Sequence, residues 1–181
     1  VATVTIPNGD PIAVNSDGTV SAISGSSVAA AIGTAGEISN TFQEPRAVID
    51  AASGKVVVAY IQRNSPYYPY AVVGTISGST ISFGTPVVLN SSSAVSTYGA
   101  SIVYDPDSEK VIIMFSISSN AHAIVGTVSG TSISFGTAAQ VGSTSMNASY
   151  YNSLVYDTAN SKVVAFLNDG YDNKGYAVVG T

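Results

Sequence analysis

The stretch Ala123-Ile124-Val125-Gly126-Thr127-Val128-Ser129-Gly130-Thr131-Ser132-Ile133-Ser134-Phe135-Gly136-Thr137 decides how this 181-residue chain is read. Two short runs rich in β-branched residues flank Ser-Gly-Thr-Ser, and glycine in so short a connection signals a hairpin. The first run returns as Ala71-Val72-Val73-Gly74-Thr75 and as Ala177-Val178-Val179-Gly180-Thr181, at offsets of 52 and 54 residues. The second run stands unchanged from Ile81 to Thr85. A third element, apolar residues followed by Asp, four residues and Lys, occurs at Asp50/Lys55, Asp105/Lys110 and Asp157/Lys162. All three elements keep one order. A period near 52 residues with several strand signals per unit suits propeller blades, whereas helical repeats are shorter and show a 3.6-residue periodicity that is missing here.

Each unit reads as four antiparallel strands. The first, such as Ala100 to Tyr104, ends at an Asp whose carboxylate bonds backbone amides of a tight turn. Lys then opens the second strand, the most apolar segment of each unit: Val56 to Ile61, Val111 to Phe115 and Val163 to Leu167. Runs without polar alternation predict burial on both faces. The Ala-x-Val-Gly-Thr segment is the third strand, and it turns through Ser77-Gly78-Ser79-Thr80 or Ser129-Gly130-Thr131-Ser132 into the fourth. Near the amino end, Ile23 to Val28 matches Val128 to Ile133 in pattern and Gly33-Thr34 matches Gly136-Thr137, a worn third-to-fourth-strand hairpin. The expected organisation is an amino-terminal segment over 1–45 with this partial hairpin, units at 46–97 and 98–149, and an incomplete unit at 150–181. The fold class is all-β, with propeller-like repeats of four-stranded blades in about three units. Three and a half units are fewer than an ordinary closed ring needs, so association or a longer parent chain is implied. The bare last edge is expected to be covered by the worn fourth strand near residues 28–37, by another chain or by a longer parent chain.

Composition narrows the functional classes. The chain is 45% apolar and only 9% charged, which excludes a solvated disordered tail. Six Lys and Arg against eleven Asp and Glu give a net charge of −5, the wrong sign for a phosphate-neutralising surface, so no nucleic-acid partner is expected. The absence of Cys removes disulfides, thiolate nucleophiles and zinc-thiolate sites together. No apolar run approaches the roughly 18 residues of a membrane helix, and no membrane insertion is expected.

The unit Tyr-Asp-x4-Lys-Val-Val, then Ala-Val-Val-Gly-Thr and Ser-Gly-Thr-Ser-Ile-Ser-Phe-Gly-Thr, resembles tandem repeats in structural proteins of marine and freshwater tailed phages. Ala123 to Thr137 is the best stretch; the likeness covers roughly 46–181, with a weaker echo over 17–34. The resemblance implies a propeller-type β-repeat on a virion or tail-associated protein, hence a virion or extracellular location. The expected partners are other virion proteins, copies of the chain itself or a host-surface glycan.

Catalytic material is scarce. His122, the single histidine, precedes Ala-Ile-Val-Gly-Thr at a position that Tyr70 and Tyr176 fill in the other units, so the slot calls for an amphipathic ring. Asp105-x-Asp107-x-Glu109 has Ca²⁺-like spacing, but the sister turns keep only the first Asp. A turn with one capping carboxylate is the simpler account, and the oxygen-rich loop Asn168 to Asn173 reads as a solvated turn. No Gly-x-Ser-x-Gly, His-Glu-x-x-His, Walker or Rossmann pattern is present. The expectation is therefore a non-enzyme without metal or cofactor; the competing readings are a propeller lectin and a fragment of a propeller glycosidase.

Topology points to a contact face. In a four-stranded meander the first-second and third-fourth turns share one edge and barely vary among these units. The opposite edge carries Gln62 to Tyr68, Asn90 to Tyr98, Ser143 to Tyr151 and Asp169 to Lys174, which vary and concentrate Tyr and Asn. Flat rings with hydrogen-bonding amides suit sugar or protein contact. The candidate binding residues are Arg63, Asn64, Tyr67, Tyr68, Tyr98, Asn147, Tyr150, Tyr151, Asp169, Tyr171 and Asp172.

Overall fold

The computed structural model describes residues 12–14, 17, 20–22, 33–38, 42–91, 100–118, 120–143, 146–147, 152–169, 172 and 174–180. Every regular element among them is a β-strand. In the unit Val1–Ile32, β1 (Ile12–Val14) and β2 (Val20–Ala22) form an antiparallel pair. The expected worn hairpin at 23–32 lies outside the described residues.

The unit Gly33–Thr181 holds three antiparallel sheets. The first contains β3 (Phe42–Asp50), β4 (Lys55–Gln62), β5 (Pro69–Ser77), β6 (Thr80–Phe83) and β7 (Val87–Val88). The second repeats it with β8 (Ser101–Asp105), β9 (Lys110–Ile117), β10 (Asn120–Ser129), β11 (Ser132–Phe135) and β12 (Ala139–Gln140). The third contains β13 (Met146–Asn147), β14 (Ser153–Asp157), β15 (Lys162–Asp169) and β16 (Gly175–Gly180). β3 to β6 and β8 to β11 pair in chain order, β7 and β12 add to β5 and β10, and β13 and β14 share one edge of β15 while β16 takes the other.

The expected fourth strand is not continuous. Pairing along β5 stops after Phe83 and resumes at Val87 opposite Ala71, and along β10 it stops after Phe135 and resumes at Ala139 opposite Ala123. The interruption falls on the repeated Gly-Thr. The Gly84 and Gly136 amides donate to Val73 and Val125 carbonyls at 2.9 and 3.0 Å, and the next two residues leave the ladder before it resumes. Pro86 has no amide to donate, which suits it to this gap.

The apolar second strands explain the stacking of the sheets. Val57, Ala59, Ile61, Ala71 and Val73 on one face of the first sheet share a core with Val111, Ile113, Phe115, Ile124 and Ile133 of the second. The opposite face of β9, with Ile112 and Met114, packs against Leu154, Ala165 and Leu167 of the third. Each such side chain contributes about 1.5–3 kcal/mol when taken fully from water. Burial of both faces, expected from the missing alternation, holds for β4 and β9. It fails for β15, where Ala165 and Leu167 are buried and Phe166 between them is exposed, because no further sheet among the described residues covers that side. The first strands also meet: β8 lies against both β3 and β14.

Candidate contact edge

The Asp-turn edge is a set of interlocked bonds. In the first sheet Asp50 accepts from the Ala52 amide at 3.2 Å and the Ser53 hydroxyl at 2.7 Å. Asp105 accepts from the Asp107 amide at 2.9 Å and the Ser108 hydroxyl at 2.6 Å. Asp157 accepts from the Ala159 amide at 2.9 Å and the Asn160 side chain at 2.7 Å. One capping carboxylate per turn is what the sequence predicts. Bonds to the charged form lower a carboxyl pKa. Asp157 is held below the usual carboxylate range by the Asn160 side chain and then the Ala159 amide. Burial pushes Asp105 up, but the bonds from Ser108 and Asp107 outweigh it and its pKa is also lowered. The turns close through left-handed backbone at equivalent positions, Gly54 (φ 67), Glu109 (φ 55) and Ser161 (φ 54).

Sequence reasoning missed the link between successive turns. The Ala52 amide donates to the Tyr104 phenol oxygen at 3.2 Å, and the Tyr156 hydroxyl donates to Asp107 Oδ2 at 2.6 Å. Each tyrosine stands immediately before its own turn Asp and reaches the turn of the preceding sheet. The bond to Asp107 first, then desolvation, pushes Tyr156 up to about 12. Asp107 is lowered by the Ser161 hydroxyl and then by Tyr156. The signal was Val-Tyr-Asp at 103–105 and 155–157, with Ile49 at that position in the first sheet. The acid of Asp105-x-Asp107-x-Glu109 that resembled a calcium ligand is thus an acceptor between sheets, and no group of three or more His, Asp or Glu among the described residues is placed to hold a metal ion.

The opposite edge carries the candidate residues. The β4–β5 loop is closed by the Gln62 amide donating to the Tyr68 carbonyl at 2.9 Å, which presents Arg63 and Asn64 to solvent. Tyr68 is half-buried, and Tyr67 packs its ring against the core between the first and second sheets. In the third sheet the loop is closed by the Asp169 amide on the Lys174 carbonyl at 2.9 Å. Asp169 is buried and accepts from the Asp172 amide at 3.4 Å, so it organises the loop from beneath. Asp172 is exposed, accepts from the Tyr176 hydroxyl at 2.9 Å and pairs with the Lys174 ammonium at 2.9 Å. The Lys174 side chain is the first cause of a lowered Asp172 pKa, and Asp172 in turn raises Lys174. At the matching place in the second sheet, β9 ends at Ile117 and β10 begins at Asn120. Asn147 lies in β13 opposite Asn168. Tyr98, Tyr150, Tyr151 and Tyr171 lie outside the described residues.

His122 is half-buried, opposite Phe115 in the ladder, with its Nδ1 3.0 Å from the Asn120 carbonyl. The equivalent Tyr70 stacks on Tyr60 with ring centroids 5.8 Å apart. A cleft of about 500 Å³ opens between the second and third sheets. Its walls are largely aliphatic, including Ile112, Val125, Val141, Leu154, Val163 and Val178. No protein-family model matches the chain, and no curated protein matches it.

Proposed function

We propose that the three sheets are successive blades of a propeller-type array. On this reading the chain is a non-enzymatic structural or adhesive module of a virion or comparable extracellular assembly, contacting its partner through the loop edge. The observation that carries the reading is the unequal use of the two edges. On one, turn carboxylates and tyrosines are consumed in bonds within and between sheets. On the other, Arg63 and Asn64 project from a closed loop, and Asp172 is exposed with bonds only inside its own sheet, to Lys174 and Tyr176. The contact of β8 with both β3 and β14 supports the blade arrangement, since blades arranged around one axis bring successive first strands side by side.

The test is adsorption of the labelled chain to intact bacterial cells and to their immobilised surface polysaccharide. Substituting Arg63, Asn64, Tyr67, Tyr68 and Asp172 by Ala is expected to weaken adsorption, by roughly tenfold for each residue that is an anchor. Saturable binding to purified polysaccharide identifies a glycan, and binding to cells alone identifies a protein. Release of reducing sugar, lost on removal of loop acids, would overturn the non-enzymatic reading. Unchanged adsorption after all five substitutions would overturn the choice of edge.

A further inference from the structure

The first strands of the three sheets converge on a small pocket. Counted back from the turn Asp, Arg46, Ser101 and Ser153 hold one position in β3, β8 and β14, and Ala47, Ile102 and Leu154 hold the next. Because β8 lies against both β3 and β14, these residues line one pocket of about 170 Å³, with Asn152 beside them. The repeat places a long cation once and a small hydroxyl twice at the first position, so the two serines leave room beside the arginine. The next position supplies an aliphatic wall.

A bulge in β3 sets the place of Arg46. Pairing with β4 passes from Gln43 opposite Ile61 to Arg46 opposite Ala59, so β3 carries one extra residue there. Such a bulge re-aims the side chains around it. Glu44 inside it has φ 52, left-handed backbone that residues with a side chain rarely adopt, and Pro45 has no amide to lose from the ladder. Arg46 Nη1 donates to the Pro45 carbonyl at 3.0 Å and Nη2 to Glu44 Oε2 at 3.4 Å. Both acceptors belong to the bulge, so the guanidinium is drawn back along its own strand, and it stays half-exposed. The contact to Glu44 is long for a charged pair, which usually closes to about 2.7–2.9 Å, so a better-placed carboxylate can replace it. Ser101 is buried and its hydroxyl donates to Asn152 Oδ1, which ties β8 to the start of β14. An amide held through its oxygen presents N–H groups.

No Asp or Glu is among the described residues lining the pocket, although the chain carries a net charge of −5. One planar guanidinium fork, flanked by hydroxyl and amide groups and an aliphatic wall, matches a singly charged carboxylate with hydroxyls on a short carbon skeleton. The volume is below the roughly 300–1,000 Å³ of a drug-sized site, which limits the occupant to one small unit. We propose that this pocket binds a hydroxylated carboxylate, either a sugar acid or a free hydroxy acid, with Arg46 holding the carboxylate. The inference goes beyond the function proposed above and uses none of the loop residues, so it stands or falls separately from the loop edge.

The experiment follows the backbone amides of the isotope-labelled chain by heteronuclear NMR during titration with galacturonate, lactate, acetate, glucose and inorganic sulfate. Galacturonate or lactate is expected to shift the amides around Arg46, Ser101 and Asn152 saturably. Tighter binding of galacturonate identifies a sugar acid as the source, and otherwise the source is a free hydroxy acid. Glucose is expected to leave these amides unmoved, with acetate and sulfate the weaker anions. Arg46→Gln removes the charged donors and should weaken binding about tenfold or more. Ala47→Leu gives β3 the bulk that Ile102 and Leu154 already have, keeps the charge and fills the pocket, so it should abolish binding while the rest of the spectrum stays that of the folded chain. Three results would each overturn the proposal: no saturable shift with either acid, acetate or sulfate binding as tightly as both, or binding that survives Arg46→Gln or Ala47→Leu.

Discussion

Replacing Gly84 or Gly136 by Ala should separate two positions that the sequence presents as identical. Both glycines follow Ser-Phe and precede Thr, and both amides donate to a third-strand carbonyl, at 2.9 and 3.0 Å. They differ in what lies beyond. A Cβ on Gly84 would run into the backbone carbonyl oxygen of Thr131, with Thr131 Cβ at 3.3 Å, whereas on Gly136 its nearest neighbour is the Val125 carbonyl oxygen at 4.0 Å. The Thr131 carbonyl belongs to the β10–β11 turn and cannot rotate aside, so the first and second sheets must part. Overpacking of a rigid contact costs up to about 3 kcal/mol. Both substitutions also remove unfolded-state freedom, a gain of about 0.4–1 kcal/mol. The net expectation is a loss of about 2 kcal/mol for Gly84→Ala and a neutral or slightly stabilising Gly136→Ala. For a chain of this size that separates the thermal midpoints by roughly 5–10 °C. Urea unfolding at a protein concentration where the chain is monomeric measures the pair, compared at unchanged m-value. Equal midpoints would refute the close seating of the second sheet's turn on the interrupted outer strand of the first.

Other outcomes follow from individual contacts. Ile133→Ala should cost about 2–4 kcal/mol, because Ile133 is buried between two sheets, while Phe166→Ala on the open face should cost under about 1 kcal/mol in the monomer; chemical denaturation reads both. Glu109→Gly should raise stability by about 0.5–1 kcal/mol, since Glu109 is held at φ 55 where the sister turn has Gly54, and a lower thermal midpoint would contradict this. Asp157 has a lowered pKa, so its contribution is present above the ordinary carboxylate value and lost as pH falls through the folded one. The midpoint difference between wild type and Asp157→Ala should therefore be full at neutral pH and vanish in strong acid. Tyr156 has the opposite sign: its phenol is pushed up to about 12, so the hydrogen bond to Asp107 stabilises below the usual tyrosine value and is lost as pH rises through about 12, which Tyr156→Phe should abolish in an alkaline absorbance titration. His122→Tyr should leave the midpoint and partner adsorption unchanged, because Tyr70 and Tyr176 already fill that slot.

Much of the fold was legible because its local signals are redundant. Asp followed after four residues by Lys marked each turn, Ser-Gly marked each hairpin, and apolar runs without alternation marked strands covered on both faces. The split outer strand was not legible. Its cause is a competition between the ladder and a glycine amide that bonds Val73 or Val125 from outside it, and sequence spacing does not distinguish a hairpin strand from one that leaves and returns. The exposure of Phe166 was hidden for a related reason: β4, β9 and β15 carry the same apolar pattern, and only the order of stacking tells which has a neighbour on each side.

The candidate contact residues show where composition misleads. Tyr67 and Tyr68 read alike, yet the loop closure between Gln62 and Tyr68 leaves the Tyr67 ring packed on the core. Asp169 reads like Asp172, but strand alternation decides between them: Asp169 is two residues beyond Leu167 and four beyond Ala165, so it falls on the buried face of β15. Its carboxylate, bonded to the Asp172 amide, fixes the loop, while Asp172 itself lies where Lys174 and Tyr176 reach it. A partner approaching this edge thus meets Arg63, Asn64 and the Asp172–Lys174 pair before any buried ring. An exposed ion pair contributes at most about 1 kcal/mol to stability. Asp172→Ala should accordingly leave the fold intact and report on recognition alone, whereas Asp169→Ala, which removes the loop's internal acceptor, should disturb both.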